Sequence, residues 1–214
     1  TPLVGTNLAR VGGQFPKLYI VGLFGPNVVA AYVVAMRIRA LMGTPNWGFS
    51  MASSSLVGQA LGEDDERGAG EWASDVFRFS LAVFAVIAAG VFAFAQPIGR
   101  VFVDDPAILP TVTTFVRVAC VAVVFSGVYG GATGPLRASG DTRWPLYANL
   151  AGLYLFTIPV AYLGVAFPTI GITALFAAVF VEKAVPAAIV YHRYRTGTWK
   201  VVSREYRPEA SPSD

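Results

Sequence analysis

Six apolar stretches, each long enough to cross the hydrocarbon core of a bilayer, constrain this chain more than any other feature. They run from Val4 to Phe24, Val28 to Leu61, Val76 to Ala95, Ile108 to Gly134, Leu146 to Phe167 and Ile170 to Tyr191. A soluble fold of 214 residues needs polar surface that is missing here. Charged residues make up 14% and hydrophobic residues 55%, whereas soluble chains carry about 25% charge. The same apolar excess excludes disorder. The expected fold is an all-α integral membrane protein with six transmembrane helices. The second stretch is too long for one straight crossing, and Pro45 inside it predicts a bend, because proline removes a helix hydrogen bond.

Several function classes drop out. The single cysteine, Cys120, excludes a disulfide framework, and the single histidine, His192, makes a zinc site untenable. Paired carboxylates, a nucleophile with a histidine base and a glycine-rich phosphate loop are all lacking, so no enzyme and no cofactor is expected. The net charge of +3 would suggest nucleic acid in a soluble protein, but the basic residues flank apolar spans, where a lipid bilayer explains them. Arg67, Arg137, Arg143, Arg193, Arg195, Lys200, Arg204 and Arg207 fall on one side of the spans, and Arg100 on the other. This asymmetry predicts a multi-pass cell-membrane protein with both termini cytoplasmic, and with Gln96 to Pro106 as an external loop. Residues 1–195 are expected to form the membrane lobe, and 196–214 a basic, then polar, cytoplasmic tail ending in a disordered E-A-S-P-S-D. The chain opens on Thr1, which predicts a missing or processed start.

Polar residues within the spans are the candidates for an ion or substrate pathway, since charge at membrane depth is costly and usually faces a cavity or partner. Asn7, Arg10, Gln14 and Lys17 form one helical stripe. It either faces a cleft, snorkels to the interfaces or belongs to a helix lying flat on the membrane. Arg37 and Arg39 lie in the second span, Arg117 and Ser126 in the fourth, and Glu182 and Lys183 in the sixth. Glu182 is the only carboxylate deep in any span. It is either a proton or cation site, or the partner of an arginine that ties helices together. Lys183 is not its natural partner, because adjacent helical side chains diverge.

Small residues recur at four-residue spacing: Ser54, Gly58 and Gly62 in the second span, and Gly127/Gly131 and Gly130/Gly134 in the fourth. Such faces allow close helix approach in lipid, and a substrate cleft lined by them is the alternative reading. Trp47, Phe49, Tyr129 and Tyr154 would stack on flat organic cations if they faced a cleft, and otherwise face lipid.

The segment G-P-L-R-A-S-G-D-T-R-W-P, from Gly134 to Pro145, resembles the G-x-L-R-G-x-G-D-T-R-x-P signature of the multidrug and toxic compound extrusion (MATE) family. Its matching positions are Leu136, Arg137, Gly140, Asp141, Thr142, Arg143 and Pro145. Ser54 to Asp65 and Val101 to Pro106 resemble the family's second-span end and its external loop. The resemblance implies the C-terminal six-helix lobe of a twelve-helix transporter, with an N-terminal lobe as its partner. It implies efflux of a small, cationic organic substrate by alternating access, driven by a proton or sodium gradient. A sister branch that flips lipid-linked sugars has the same architecture, and a nonfunctional fragment or a structural lobe needing a partner half is a further alternative. One departure stands out. The acids that help bind sodium in some bacterial members fall on Arg10 and Ser126, so a sodium site of that kind is not expected in this lobe.

Overall fold

The computed structural model describes residues 15–205, and every regular element among them is helical. A helix over residues 15–22, here α1, lies in the second half of the first expected span. Asn7, Arg10 and Gln14 lie outside the described residues. There follow α2 (Pro26–Gly43), α3 (Pro45–Gly62), α4 (Glu66–Ala93), α5 (Ala95–Phe102), α6 (Leu109–Ala138) and α7 (Arg143–Leu150). A π-helical segment (Ala151–Thr157) leads into α8 (Ile158–Ala166), and α9 (Thr173–Arg195) and α10 (Thr198–Glu205) close the described chain. Five of the described segments are long and apolar enough to cross a membrane: Pro26–Gly62, Glu66–Ala93, Leu109–Ala138, Arg143–Ala166 and Thr173–Arg195.

The second span divides where its proline predicts. Pro45 takes the first turn of α3, where its missing N–H costs nothing, and Thr44 joins the two halves. The expected external loop from Gln96 to Pro106 is largely the short helix α5, whose Ala95 and Gly99 are buried; Gly99 lies against α6 residues Leu109 and Val112. The motif connection is shorter than the sequence suggests. Only residues 139–142 separate α6 from α7, with Gly140 at φ +85°, a left-handed conformation that suits glycine.

The helix α6 runs through the centre and packs against α2, α3, α4, α5 and α9. Its small residues divide between two neighbours. A Cβ on Gly127 would lie 2.9 Å from Phe84, and one on Gly131 would lie 2.8 Å from the Cα of Phe77, both on α4. A Cβ on Gly130 would lie 2.8 Å from Asn46, and one on Gly134 would overlap Ser53, both on α3. The two pairs thus seat two different helices, as backbone approach in lipid requires. The second-span pattern behaves differently along its length. Ser54 Oγ donates to the carbonyls of Ser50 (2.8 Å) and Gly134 (3.1 Å), so it joins α3 to α6. Gly58 meets Ala138 only at 3.9 Å, and Gly62, at the end of α3, has nothing within 4 Å of a Cβ position, so no close packing occurs there.

One larger core gathers Tyr32, Phe84, Phe115, Val116 and Leu175; a second gathers Val57, Leu61, Leu136, Val190 and Trp199. The second contains Trp199 because α10 folds back on the bundle. Lys200 Nζ donates to the carbonyl of Glu66 (3.0 Å), and Arg204 grips the Glu66 carboxylate through two nitrogens (2.6 and 2.7 Å). Within the expected tail, this stretch is therefore a docked helix. In the fifth span, the π-helical turn brings Gly152 against Pro186 of α9, where a Cβ would meet the ring at 2.6 Å.

Candidate functional site

The structure collects three of the polar residues of the spans into one cluster. Lys17 of α1 and Arg39 of α2 converge on Glu182 of α9. Lys17 Nζ lies 2.9 Å from Oε2, and Arg39 Nη2 lies 2.9 Å from Oε1. The side chains of Lys17, Arg39 and Glu182 are 12%, 13% and 16% exposed, so the cluster is mostly desolvated yet reaches the lobe surface. One carboxylate on α9 thus holds α1 and α2, whose paired residues lie 165 and 143 positions away in sequence. Breaking such a partly buried network strands charge in a poor solvent for it. Glu182 therefore does pair with an arginine, and with Lys17 as well.

Tyr32 completes the cluster. It stands seven residues before Arg39 on α2, two helical turns away and on the same face. Lys17 Nζ lies 5.9 Å from its ring centroid, and its ring packs edge-on against Phe115 at 5.9 Å. Among the described residues, Tyr32 Oη and Arg39 Nη1 are buried without a hydrogen-bond partner. Sequence reasoning did not single out Tyr32. The seven-residue spacing to Arg39 is the signal that carried it.

The other pathway candidates stand apart. Arg37 is exposed, and Arg117 is exposed with its guanidinium 5.4 Å from the centroid of the Phe92 ring. Arg117 also lines a cavity of about 430 Å³ at the Leu109 end of α6, with Gln96, Thr113 and Thr114. Ser126 is buried, and its carbonyl accepts a hydrogen bond from Asn46 Nδ2 at 3.0 Å. Among the four aromatic candidates, Phe49 packs into the bundle against Phe79 and Phe84, and Tyr129 Oη bonds Asn149 Nδ2 at 2.6 Å. Trp47 is 70% exposed and Tyr154 is partly exposed. No group of three or more His, Cys, Asp or Glu side chains suited to a metal occurs among the described residues.

The motif residues form a second polar assembly. Arg137 Nη1 donates to Ser50 Oγ (3.1 Å), Asp141 is nearly buried, and Arg193 of α9 reaches it through Nε at 2.7 Å. Arg193 also lies over the Trp144 ring, 5.0 Å from its centroid. Leu136 and Pro145 are buried, while Thr142 and Arg143 are exposed. The assembly fixes the turn between α6 and α7 to the end of α9.

A family model, MatE, matches residues 2–163. The chain belongs to the MatE family. Relatives agree with this assignment. A probable multidrug resistance protein NorM of Thermotoga maritima is 22% identical over 188 residues, covering 85% of this chain and 40% of that protein. The corresponding protein of Brucella suis is 29% identical over 168 residues, covering 74% of this chain and 35% of its own length. A multidrug resistance MATE family transporter of the MOP superfamily, solved in its inward-facing conformation, superposes with a TM-score of 0.83 at 17% identity, covering 94% of this chain and 47% of that one. A multidrug resistance MATE family transporter of the MOP superfamily solved in an outward-facing conformation gives 0.80 at 18% identity, covering 94% of this chain and 45% of that one. The MatE chain described here thus spans less than half the length of these relatives. It is an all-helical, multi-pass membrane protein of a transporter family.

Proposed function

We propose that this chain is the C-terminal lobe of a secondary active efflux antiporter for small organic molecules. It works by alternating access against an N-terminal lobe, under a proton or sodium gradient, in the plasma membrane with both termini cytoplasmic. The observation that carries this reading is the Lys17–Arg39–Glu182 cluster. Its three charged side chains lie on helices of the apolar bundle and are 12–16% exposed, and charge among membrane-spanning helices calls for a polar cleft or a partner rather than lipid. Likeness to both inward-facing and outward-facing structures supports a lobe that rocks as a unit.

Within this reading, the lobe contributes no sodium site of its own. Sodium prefers oxygen ligands that include a carboxylate. Ser126 brings none, Arg10 is a cation, and Glu182 is already engaged by two cations. Coupling then rests with the partner lobe. The aromatic residues give little support to an organic-cation cleft, since Phe49 and Tyr129 are used within the bundle.

Vesicle transport tests the reading. Vesicles holding both lobes should extrude a fluorescent organic substrate when a gradient is imposed, and vesicles holding this chain alone should not. Efflux by this chain as a monomer would overturn it.

A further inference from the structure

The structure assigns a phospholipid site to the recess beside Arg117, at the Leu109 end of α6. Its ligand is the phosphodiester of a glycerophospholipid in the leaflet at that end. The site requires only that the chain spans a bilayer, and it holds whether or not the lobe takes part in efflux.

Shape and free donors are the first ground. The recess holds about 430 Å³, the size of a small-molecule site, and both Arg117 of α6 and Gln96 of α5 line it. Both residues are exposed. Among the described residues, neither side chain has a hydrogen bond or an ion pair. Thr113 and Thr114, also in the wall, donate their hydroxyls to the carbonyls of Leu109 and Pro110, each at 2.9 Å. Of these four side chains, the guanidinium and the Gln96 amide keep donors for a ligand. Phosphate oxygens accept from both groups, and a guanidinium can grip two of them at once.

Position and charge are the second ground. The helix α6 is long and apolar enough to cross a membrane, and Arg117 lies eight residues into it, about 12 Å along the axis from Leu109. Helical side chains lean toward the N-terminus of their helix, which carries this guanidinium toward the Leu109 end. The surroundings are apolar and open. Phe92, whose ring centroid is 5.4 Å from the guanidinium, is exposed, and so is Val121, one turn deeper on the same face of α6. Phe94, two residues before Gln96, is exposed as well. Acyl chains suit such a surface, whereas a cation on it needs a counter-charge or water. A phospholipid answers both needs in one molecule, with its phosphate on Arg117 and its chains along Val121 and Phe92. The rest of the headgroup has a place beside it. A second recess, of about 350 Å³, shares Pro106 and Leu109 with the first and is lined by Arg100 and Asp104. Those two offer one charge of each sign, so the surplus positive charge of the joined recesses is that of Arg117.

The test uses the transporter with both lobes, stripped of lipid in detergent, and dioleoylphosphatidylglycerol as the probe. Dioleoylglycerol has the same chains without the phosphate, and sodium phosphate has the phosphate without chains. The thermal midpoint should rise saturably with the phospholipid and stay flat with the other two. Arg117→Gln should raise the half-saturating phospholipid concentration about tenfold. Gln96→Glu sets a carboxylate in the wall that carries Arg117, and should weaken the response at least as much by repelling the phosphate. Arg78→Gln removes an exposed arginine of α4 that lines neither recess, and should titrate like the parent. A flat phospholipid titration would overturn the site, including one that arises because the other lobe covers the recess. An equal response to dioleoylglycerol or to free phosphate would overturn it too. Equal losses in Arg78→Gln and Arg117→Gln would reduce the effect to general attraction between lipid and positive charge, and the assignment would fall. Should Arg117→Gln not fold, Gln96→Glu decides alone, and a titration matching the parent's overturns the site.

Discussion

Arg193 Nε stands 2.7 Å from Asp141 Oδ2, which joins the end of α9 to the turn between α6 and α7. The carboxylate is 9% exposed and the guanidinium 21%, so the pair is poorly solvated. Removing one partner strands the other. Asp141→Asn or Arg193→Gln should each cost about 2 kcal/mol of stability in detergent. The double variant should cost little more than either alone. Additive losses in a double-mutant cycle would show that the two residues act independently.

The glycines of α6 and α3 make a second prediction by contrast. A Cβ on Gly131 would approach the backbone of Phe77, which cannot swing aside. Gly131→Ala should therefore lower stability by about 1–3 kcal/mol. Gly62 has open space around it, so Gly62→Ala should be neutral or stabilise by about 0.5–1 kcal/mol through helix propensity alone. Thermal midpoints of the two variants decide this. Equal losses would mean that the Gly131 face is not a close contact.

These comparisons show what the sequence made legible. Span lengths and the helix break before Pro45 are local properties, and both appear in the fold. Four-residue glycine spacing identifies shared faces, but spacing does not name the helix that lies opposite. The division of Gly127/Gly131 and Gly130/Gly134 between α4 and α3 is set by tertiary packing. Arg37 and Arg39 look alike in sequence, yet two residues turn a helix by about 200°. Only the placement of α9 selects Arg39 as the partner of Glu182 and leaves Arg37 exposed. The helix α10 is too short to register as a span. It is recognised by what it touches: Trp199 in the core, and Lys200 and Arg204 on Glu66.

Topology gives the third prediction, and the structure chooses its probes. Asp141 is nearly buried and makes a poor labelling site, whereas Thr142 beside it is exposed; Asp104 is exposed at the far end of the lobe. Cys120 is buried, so its replacement by alanine gives a clean background. In sealed cells, an impermeant thiol reagent should label Asp104→Cys and leave Thr142→Cys untouched until the cells are opened. This follows from the basic residues around Thr142 and their near-absence around Asp104. The reverse pattern would invert the orientation of the lobe.

The last prediction separates the two uses of Glu182, holding helices and serving the cleft. Glu182→Gln keeps the shape and removes the charge that Lys17 and Arg39 share. Two cations are then left without a counter-charge, and stability should fall by about 3–5 kcal/mol, the usual cost of breaking a buried ionic network from one side. Replacing all three residues together, by Lys17→Met, Arg39→Met and Glu182→Leu, removes the imbalance. Buried ionic clusters exchanged for apolar groups of similar volume are commonly neutral or stabilising. The triple variant should therefore recover the parent's thermal midpoint while its transport stays lost. Recovery of both stability and transport would make the cluster purely a clamp between α1, α2 and α9. If instead the triple variant is as unstable as Glu182→Gln, the ionic geometry itself specifies the packing of these three helices, and no apolar set can replace it.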